Sequence, residues 1–185
     1  MTTDFETRYQ READPWGYAS SAYEQDKYAV TLTACGRGPF AHALELGGSI
    51  GVFTKLLAPR CRRLTSIDGA PTAVLAARAR TAVQPQVDVR VGAIPEDLPD
   101  AQFDLVIASE VLYYLDGDAL DAVLGHVCAH LTPCGRIVAV HWRTPGPERP
   151  LSADAVHARL HREPALRPLG TIRHRSYLLD VLEAR

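Results

Sequence analysis

ALELGGSIGVFT, residues 43–54, decides how the chain is read. A short apolar run closes on Glu45, glycines stand at 47, 48 and 51, and a new apolar pattern begins. A strand that ends this way and turns at once into a helix leaves little side chain at its carboxyl end. Glycine lets the backbone approach a ligand closely and take positive φ at little cost. In an open α/β sheet, ligands bind outside the carboxyl ends of the strands. A tight turn alone would also explain the glycines, so the loop is read together with its surroundings.

Outward from the loop the pattern alternates. HALEL (42–46) and RLTSID (63–68) read as strands, and IGVFTKLLA (50–58) between them has helical periodicity that ends before Pro59. PTAVLAARARTAV (71–83) opens with proline in a first helical turn and is rich in alanine. QVDVRVG (86–92) alternates as a strand does. FDLVIAS (103–109) is a nearly continuous apolar run, expected of a strand covered on both faces. GDALDAVLGHVCAHL (117–131) is an amphipathic helix that stops at Thr-Pro-Cys-Gly, and GRIVAVHW (135–142) is another buried strand. YEQDKYAVTLTAC (23–35) and SADAVHARLHRE (152–163), the latter with a Ser cap, read as helices. Residues 166–174 and 176–183 form two strands without an intervening helix, hence an antiparallel hairpin. The expectation is α/β: a doubly wound, seven-stranded, mostly parallel sheet with an antiparallel C-terminal hairpin strand.

Bulk properties narrow the function. The 185 residues suffice for one core, and no linker or repeat divides them, so a single domain 1–185 is expected. Within it, 1–35 forms an N-terminal lid segment and helix and 41–185 a ligand-binding core. A formal net charge of -2 gives no basic field for nucleic acid. No apolar run approaches the roughly 20 residues that span a bilayer. The polar start MTTDFETRYQREADPW lacks the features of a signal peptide, so a cytoplasmic location is expected. Cys35, Cys61, Cys128 and Cys134 form no CxxC pair and read as small hydrophobes rather than zinc ligands.

Two features sharpen the loop. It is neither the GxxxxGK[ST] of a phosphate loop nor a complete dinucleotide fingerprint. Asp68 ends the next strand at about 20 residues beyond the glycines, the offset at which a carboxylate meets ribose hydroxyls. It could equally cap the helix that follows.

The chain resembles the class I S-adenosylmethionine-dependent methyltransferases across nearly its whole length. ELGGSIG (45–51) is similar to their first motif, with Ser49 at a position that is often glycine. Asp68 resembles their ribose acid, FDLVIASEVLYYL (103–115) their fourth strand and its loop, and LTPCGRIVAV (131–140) the segment after it. Many members carry Gly-Asp after the third strand; here the residues are Gly92-Ala93-Ile94, which implies adenine packing and backbone recognition. DPWGYASSAYEQDKY (14–28), SEVLYYLD (109–116), VHWR (140–143) and PLSADAVH (150–157) further resemble the nodulation-type (NodS-like) N-methyltransferases, which methylate an amine of an aminosugar unit. The resemblance implies S-adenosylmethionine as cofactor, no metal, and a donor site of Trp16, Tyr28, Glu45, Gly47, Gly48, Ser49, Gly51, Asp68, Gly69, Ala93, Ile94, Ser109 and Glu110.

Methyl transfer from a sulfonium needs a deprotonated nucleophile held in line and shielded from water. A histidine or carboxylate near the amine can take its proton. His141, Glu110 and Tyr113, at the ends of the fourth and fifth strands, are the catalytic candidates. His141 could instead be a buried strand-end histidine bonded to backbone, Glu110 a cap or ion-pair partner, and Tyr113 packing. Tyr18, Tyr114, Trp142 and Arg143 are expected at the acceptor, with Asp154 and His157 either there or as a cap and an exposed histidine. Trp16, Tyr18 and Tyr23 introduce a helix expected to act as a lid, or merely staple it. Residues 96–121 contain eight acids and no Lys or Arg, an acidic rim suited to a cationic substrate.

The leading expectation is N-methylation of an aminosugar, aminoglycoside or similar small molecule, in antibiotic or oligosaccharide biosynthesis, by a monomer or homodimer. The alternatives are O-methylation of a small-molecule hydroxyl or carboxylate, and a cofactor-binding module without turnover. The chain lacks [ND]PP[YFW] and a Pro-Cys pair after the fourth strand, which argues against a nucleic-acid substrate; no membrane partner is expected either.

Overall fold

The computed structural model describes residues 4–185. Seven strands form one sheet in the order β3-β2-β1-β4-β5-β7-β6. They are β1 (Ala43–Leu46), β2 (Leu64–Asp68), β3 (Val87–Val91), β4 (Phe103–Ser109), β5 (Leu131–Trp142), β6 (Leu166–Arg173) and β7 (Tyr177–Ala184). The first five run parallel, and β7 lies antiparallel between β5 and β6. The helices are α1 (Phe5–Arg11), α2 (Ala22–Cys35), α3 (Val52–Leu57), α4 (Pro71–Arg80), α5 (Gly117–His130) and α6 (Ala153–His161). The order reverses between β1 and β4, which opens a crevice above their carboxyl ends.

β4 explains its own apolar run. Val106 and Ala108 pack into the core cluster that contains Val123 and Leu124 of α5, while Leu105 and Ile107 pack with Tyr28 and Phe53 of α2 and α3. Both faces are covered, so no polar alternation survives. Helix starts follow local chemistry: the Asp116 carboxylate accepts from Ala119 N–H at 2.9 Å and the Ser152 hydroxyl from Ala155 N–H at 3.1 Å.

Several boundaries differ from expectation. α5 runs into β5 without a loop, so Thr-Pro-Cys-Gly lies inside the strand. There Cys134 adopts φ 61°, and the register slips between Phe103 and Leu105 before the regular ladder resumes at Arg136. α3 passes into a 3-10 turn, Ala58–Arg60, that includes Pro59, because proline fits a first helical turn. α4 stops at Arg80, and the Thr81 hydroxyl bonds back to Ala77 O. The polar N-terminal segment, whose pattern gives no sign of a helix, folds as α1. Asp4 caps it through Thr7 N–H at 3.0 Å, and Glu6 ties it to α4 through Thr72 N–H at 3.0 Å.

Candidate active site

The loop after β1 is built by its second neighbour. Gly47 (φ 70°) and Gly48 donate their N–H groups to Ile67 O of β2, at 2.8 and 3.2 Å. A Cβ on Gly48 would stand 2.0 Å from Ser66 Oγ, so the backbone lies directly on β2. Gly51 (φ 76°) serves packing instead. Its Cβ would meet Ala77 at 2.8 Å, so glycine lets α3 pack against α4. Gly51 does not line the cavity, which corrects its expected place among the donor-binding residues. Ser49 (φ 51°) ties the loop in two directions. Its N–H donates to Asp68 Oδ2 at 2.8 Å, and its hydroxyl meets the Tyr9 hydroxyl of α1 at 2.5 Å.

Two carboxylates underlie the loop. Glu45 is buried and accepts from Thr54 Oγ1 at 2.5 Å and Ser66 Oγ at 2.8 Å. Burial pushes its carboxyl up, against the pull of those two hydrogen bonds. Asp68 accepts from Ser49 N–H and, at 2.9 Å, from Ala70 N–H, so it also forms the turn into α4. Burial raises it as well, and the two amides oppose the rise. With one amide on each oxygen, Asp68 keeps lone pairs for the cavity it lines.

That cavity measures about 460 Å³. Gly47, Gly48, Asp68, Gly69, Ala93, Ile94, Ser109 and Glu110 form its walls, with Glu45 and Tyr28 deeper and Trp16 and Tyr18 across the mouth. Every expected donor-site residue except Gly51 is thus brought to one space. Ala93 N–H is already committed to Asp97 Oδ2 at 2.8 Å, so this residue offers the cavity packing rather than a donor. Phe5 and Tyr9 of α1 close one side, with Tyr9 ring to Trp16 ring at 5.5 Å.

A second cavity of about 380 Å³ adjoins the first, and Trp16, Tyr18, Glu110 and Tyr114 line both. Glu110 has φ 56° and accepts three bonds: from Lys27 Nζ at 2.6 Å, from Trp142 N–H at 2.9 Å and from the Tyr113 hydroxyl. Lys27 also sits 3.0 Å from Glu24. Burial would lower the Lys27 ammonium, but the two carboxylates outweigh it and hold it above the usual lysine range. Burial pushes the Tyr113 phenol up, with Glu110 adding to the shift, so Tyr113 is a proton donor to Glu110 and not a base. Trp142 lines the outer wall together with Arg149. Lys27, Glu24, Arg149 and Tyr9 join the site without a signal in the sequence that singles them out. The Glu24/Lys27 spacing on one helix is visible there, but their long-range partner is not.

The histidines are corrected. His141 is 0% exposed and lines neither cavity. Its Nε2 accepts from Leu112 N–H at 3.2 Å, so Nδ1 carries the proton and donates to His157 Nε2 at 3.1 Å. His157 Nδ1 in turn donates to Asp180 at 2.6 Å. Burial holds His141 well below the usual imidazole range, and the adjacent His157 adds to this. A group so enclosed cannot reach an acceptor amine. His157 is buried, neither exposed nor at a substrate surface. Asp154 and Arg143 pair with each other on the surface at 3.3 Å and line neither cavity. The acidic rim dissolves too. Asp104 accepts from Ala41 and His42 N–H, Asp100 pairs with His130, Asp121 with Arg159, and Asp97 and Asp116 cap turns. Of the acids in 96–121 only Glu110 lines either of these two cavities.

Known proteins resemble this chain in sequence and fold. A family model described as Nodulation protein S (NodS) matches residues 3–143. Nodulation protein S of Sinorhizobium fredii (strain NBRC 101917 / NGR234) is 35% identical over 127 residues, 68% of this chain and 59% of that protein. Its counterpart in Bradyrhizobium diazoefficiens is 39% identical over 122 residues, 65% and 58% of the two lengths. The chain therefore spans less than two thirds of these relatives. The crystal structure of N-methyltransferase NodS from Bradyrhizobium japonicum WM9 in complex with S-adenosyl-L-homocysteine superposes with a TM-score of 0.86 at 26% identity, over 97% of each chain.

Proposed function

The chain belongs to the Nodulation protein S family, and from that premise we propose that it is an S-adenosylmethionine-dependent N-methyltransferase acting on an amine of an aminosugar, aminoglycoside or similar small molecule. The observation that carries this reading is that the two cavities meet at one carboxylate, Glu110.

The larger cavity fits the donor. Its glycine floor leaves no room for a Cβ at 48, and Asp68 has lone pairs left for vicinal hydroxyls. Gly47, Gly48 and Glu45 would hold the amino-acid end, Asp68 and Gly69 the ribose, and Ala93 and Ile94 the base. When bound, S-adenosylmethionine supplies a methyl group on a sulfonium whose sulfur leaves with the bonding electron pair.

The chain's own residues do the rest. Trp16, Tyr18 and Tyr114 wall the junction with apolar surface and keep water out, which favours an uncharged amine. Glu110 is held in place by three donors. It aligns the amine through an N–H and balances the positive charge that grows on nitrogen. The proton lost after transfer leaves through the open side of the acceptor cavity. Tyr113 holds Glu110 and is a positioning residue.

The test is incubation of the purified protein with S-adenosylmethionine and a panel of aminosugars, aminoglycosides and deacetylated chitooligosaccharides, read by mass spectrometry. A gain of one methyl on nitrogen is expected, and Glu110→Gln should reduce its rate. Calorimetric binding of the donor with no methyl gain on any amine would overturn the proposal.

A further inference from the structure

Arg149 stands in the acceptor cavity without a carboxylate. Lys27, the other cation there, shares two. Among the described residues Arg149 makes no ion pair. Its Nη1 donates to Thr144 O at 2.7 Å, and the guanidinium lies over the rings of Tyr113 (4.4 Å) and Trp142 (5.0 Å). Its Nε is shielded from water and has no hydrogen-bond partner. Leaving such a donor unpaired costs about 1–3 kcal/mol, and native proteins rarely do so without cause. The rings fix the guanidinium plane, and a fixed plane is what two-pronged recognition of an oxyanion requires.

Another part of the same cavity carries the opposite charge. Glu24, Lys27 and Glu110 sum to one negative charge, and Tyr113 stands between Glu110 and Arg149, since its hydroxyl meets Glu110 while its ring meets the guanidinium. A simple ammonium would suit one wall and be repelled by the other. We infer that the acceptor is zwitterionic: it carries an oxyanion (phosphate, sulfate or carboxylate) that docks on Arg149 while its amine meets Glu110. The inference rests on the N-methyltransferase reading and adds the substrate class.

The experiment compares initial rates for glucosamine with glucosamine 6-phosphate, glucosamine 6-sulfate and 2-amino-2-deoxyglucuronic acid, in wild type, Arg149→Gln and Arg149→Lys. At least one anionic member should show a KM tenfold or more below that of glucosamine. Arg149→Gln should erase that difference, and Arg149→Lys should restore part of it. Equal KM values for glucosamine and all three anionic members, or an equal effect of Arg149→Gln on neutral and anionic acceptors, would overturn the inference and leave N-methylation standing. Binding of inorganic sulfate, titrated calorimetrically with S-adenosylhomocysteine present, reads the site without turnover. Sulfate binding that Arg149→Gln abolishes, with no methyl transfer to any amine, would keep the anion site and sink the amine reading.

Discussion

Replacing Lys27 with methionine tests the charge cluster at the cavity junction. The lysine side chain is 2% exposed, and its partners Glu24 and Glu110 are 10% and 9% exposed. Removing the cation leaves two carboxylates facing each other away from water. Breaking a buried pair from one side costs about 3–5 kcal/mol. At about 2–4 °C per kcal/mol for a chain of this length, the melting temperature should fall by about 6–20 °C. The loss should depend on pH. Burial already pushes the Glu24 carboxyl up, and attraction to Lys27 opposes it, so in Lys27→Met the carboxyl rises further. A carboxyl raised above its unfolded value binds more protons folded than unfolded, so stability falls as pH rises beyond about 4.3. Lys27 itself is raised, so its contribution in wild type is fully present below about 10.5 and is constant between pH 5 and 8. Guanidinium denaturation at pH 5 and pH 8 should therefore show a large deficit for Lys27→Met at pH 8 and a smaller one at pH 5. Glu24→Gln/Lys27→Met/Glu110→Gln should recover most of the deficit. An equal deficit at both pH values, or one below about 1 kcal/mol, would refute the account of a cluster balanced by its lysine.

Asp68→Ala removes a charged acceptor worth about 1.5–3 kcal/mol for hydroxyl partners. S-adenosylhomocysteine should bind about 10–100-fold more weakly by calorimetry, and a change below threefold would refute a ribose role. Gly48→Ala drives a methyl to 2.0 Å from Ser66 Oγ, so donor affinity should drop at least tenfold, and adding Ser66→Ala should return part of it. Wild-type affinity in Gly48→Ala would show that the loop does not rest on β2. His141→Leu orphans Leu112 N–H and should cost about 1–3 kcal/mol in denaturant titrations, more than His141→Gln, which keeps an acceptor. Because folding depresses His141, the unfolded chain binds the extra proton below about pH 6.5, and wild type should lose stability as pH falls from there. Both variants should lack that part of the slope; an unchanged slope would place the titrating group elsewhere.

What the sequence disclosed follows the range of the forces involved. β4 was legible to the residue because burial on both faces writes an uninterrupted apolar run. The loop after β1 and Asp68 were legible because a turn and an adjacent strand end are local. Gly51 was misread because its constraint comes from Ala77 on another helix. His141 was misread because successive strand residues face opposite sides, and spacing alone does not tell the crevice from the α6 side. Lys27 escaped because its partner Glu110 lies 83 residues away. Arg149 escaped because it sits on an irregular strap between β5 and α6, where no periodicity points inward.

Glu110 explains why these long-range contacts converge. A glutamate at φ 56° is strained by about 1–2 kcal/mol, and such strain persists only where the surroundings over-determine it. Here Lys27 fixes the carboxylate from α2, Tyr113 from its own turn and Trp142 N–H from β5. Behind the turn, the chain from Asp180 through His157 to His141 holds Leu112 N–H. Every direct partner of Glu110 falls within residues 3–143, the stretch that matches the family. Arg149 and Ser176, on the outer wall of the acceptor cavity, fall beyond it. The carboxylate where both cavities meet thus lies within the stretch that the family model matches. The wall at Arg149 and Ser176 lies beyond the stretch that the family model matches, and selectivity among amines is expected to reside there.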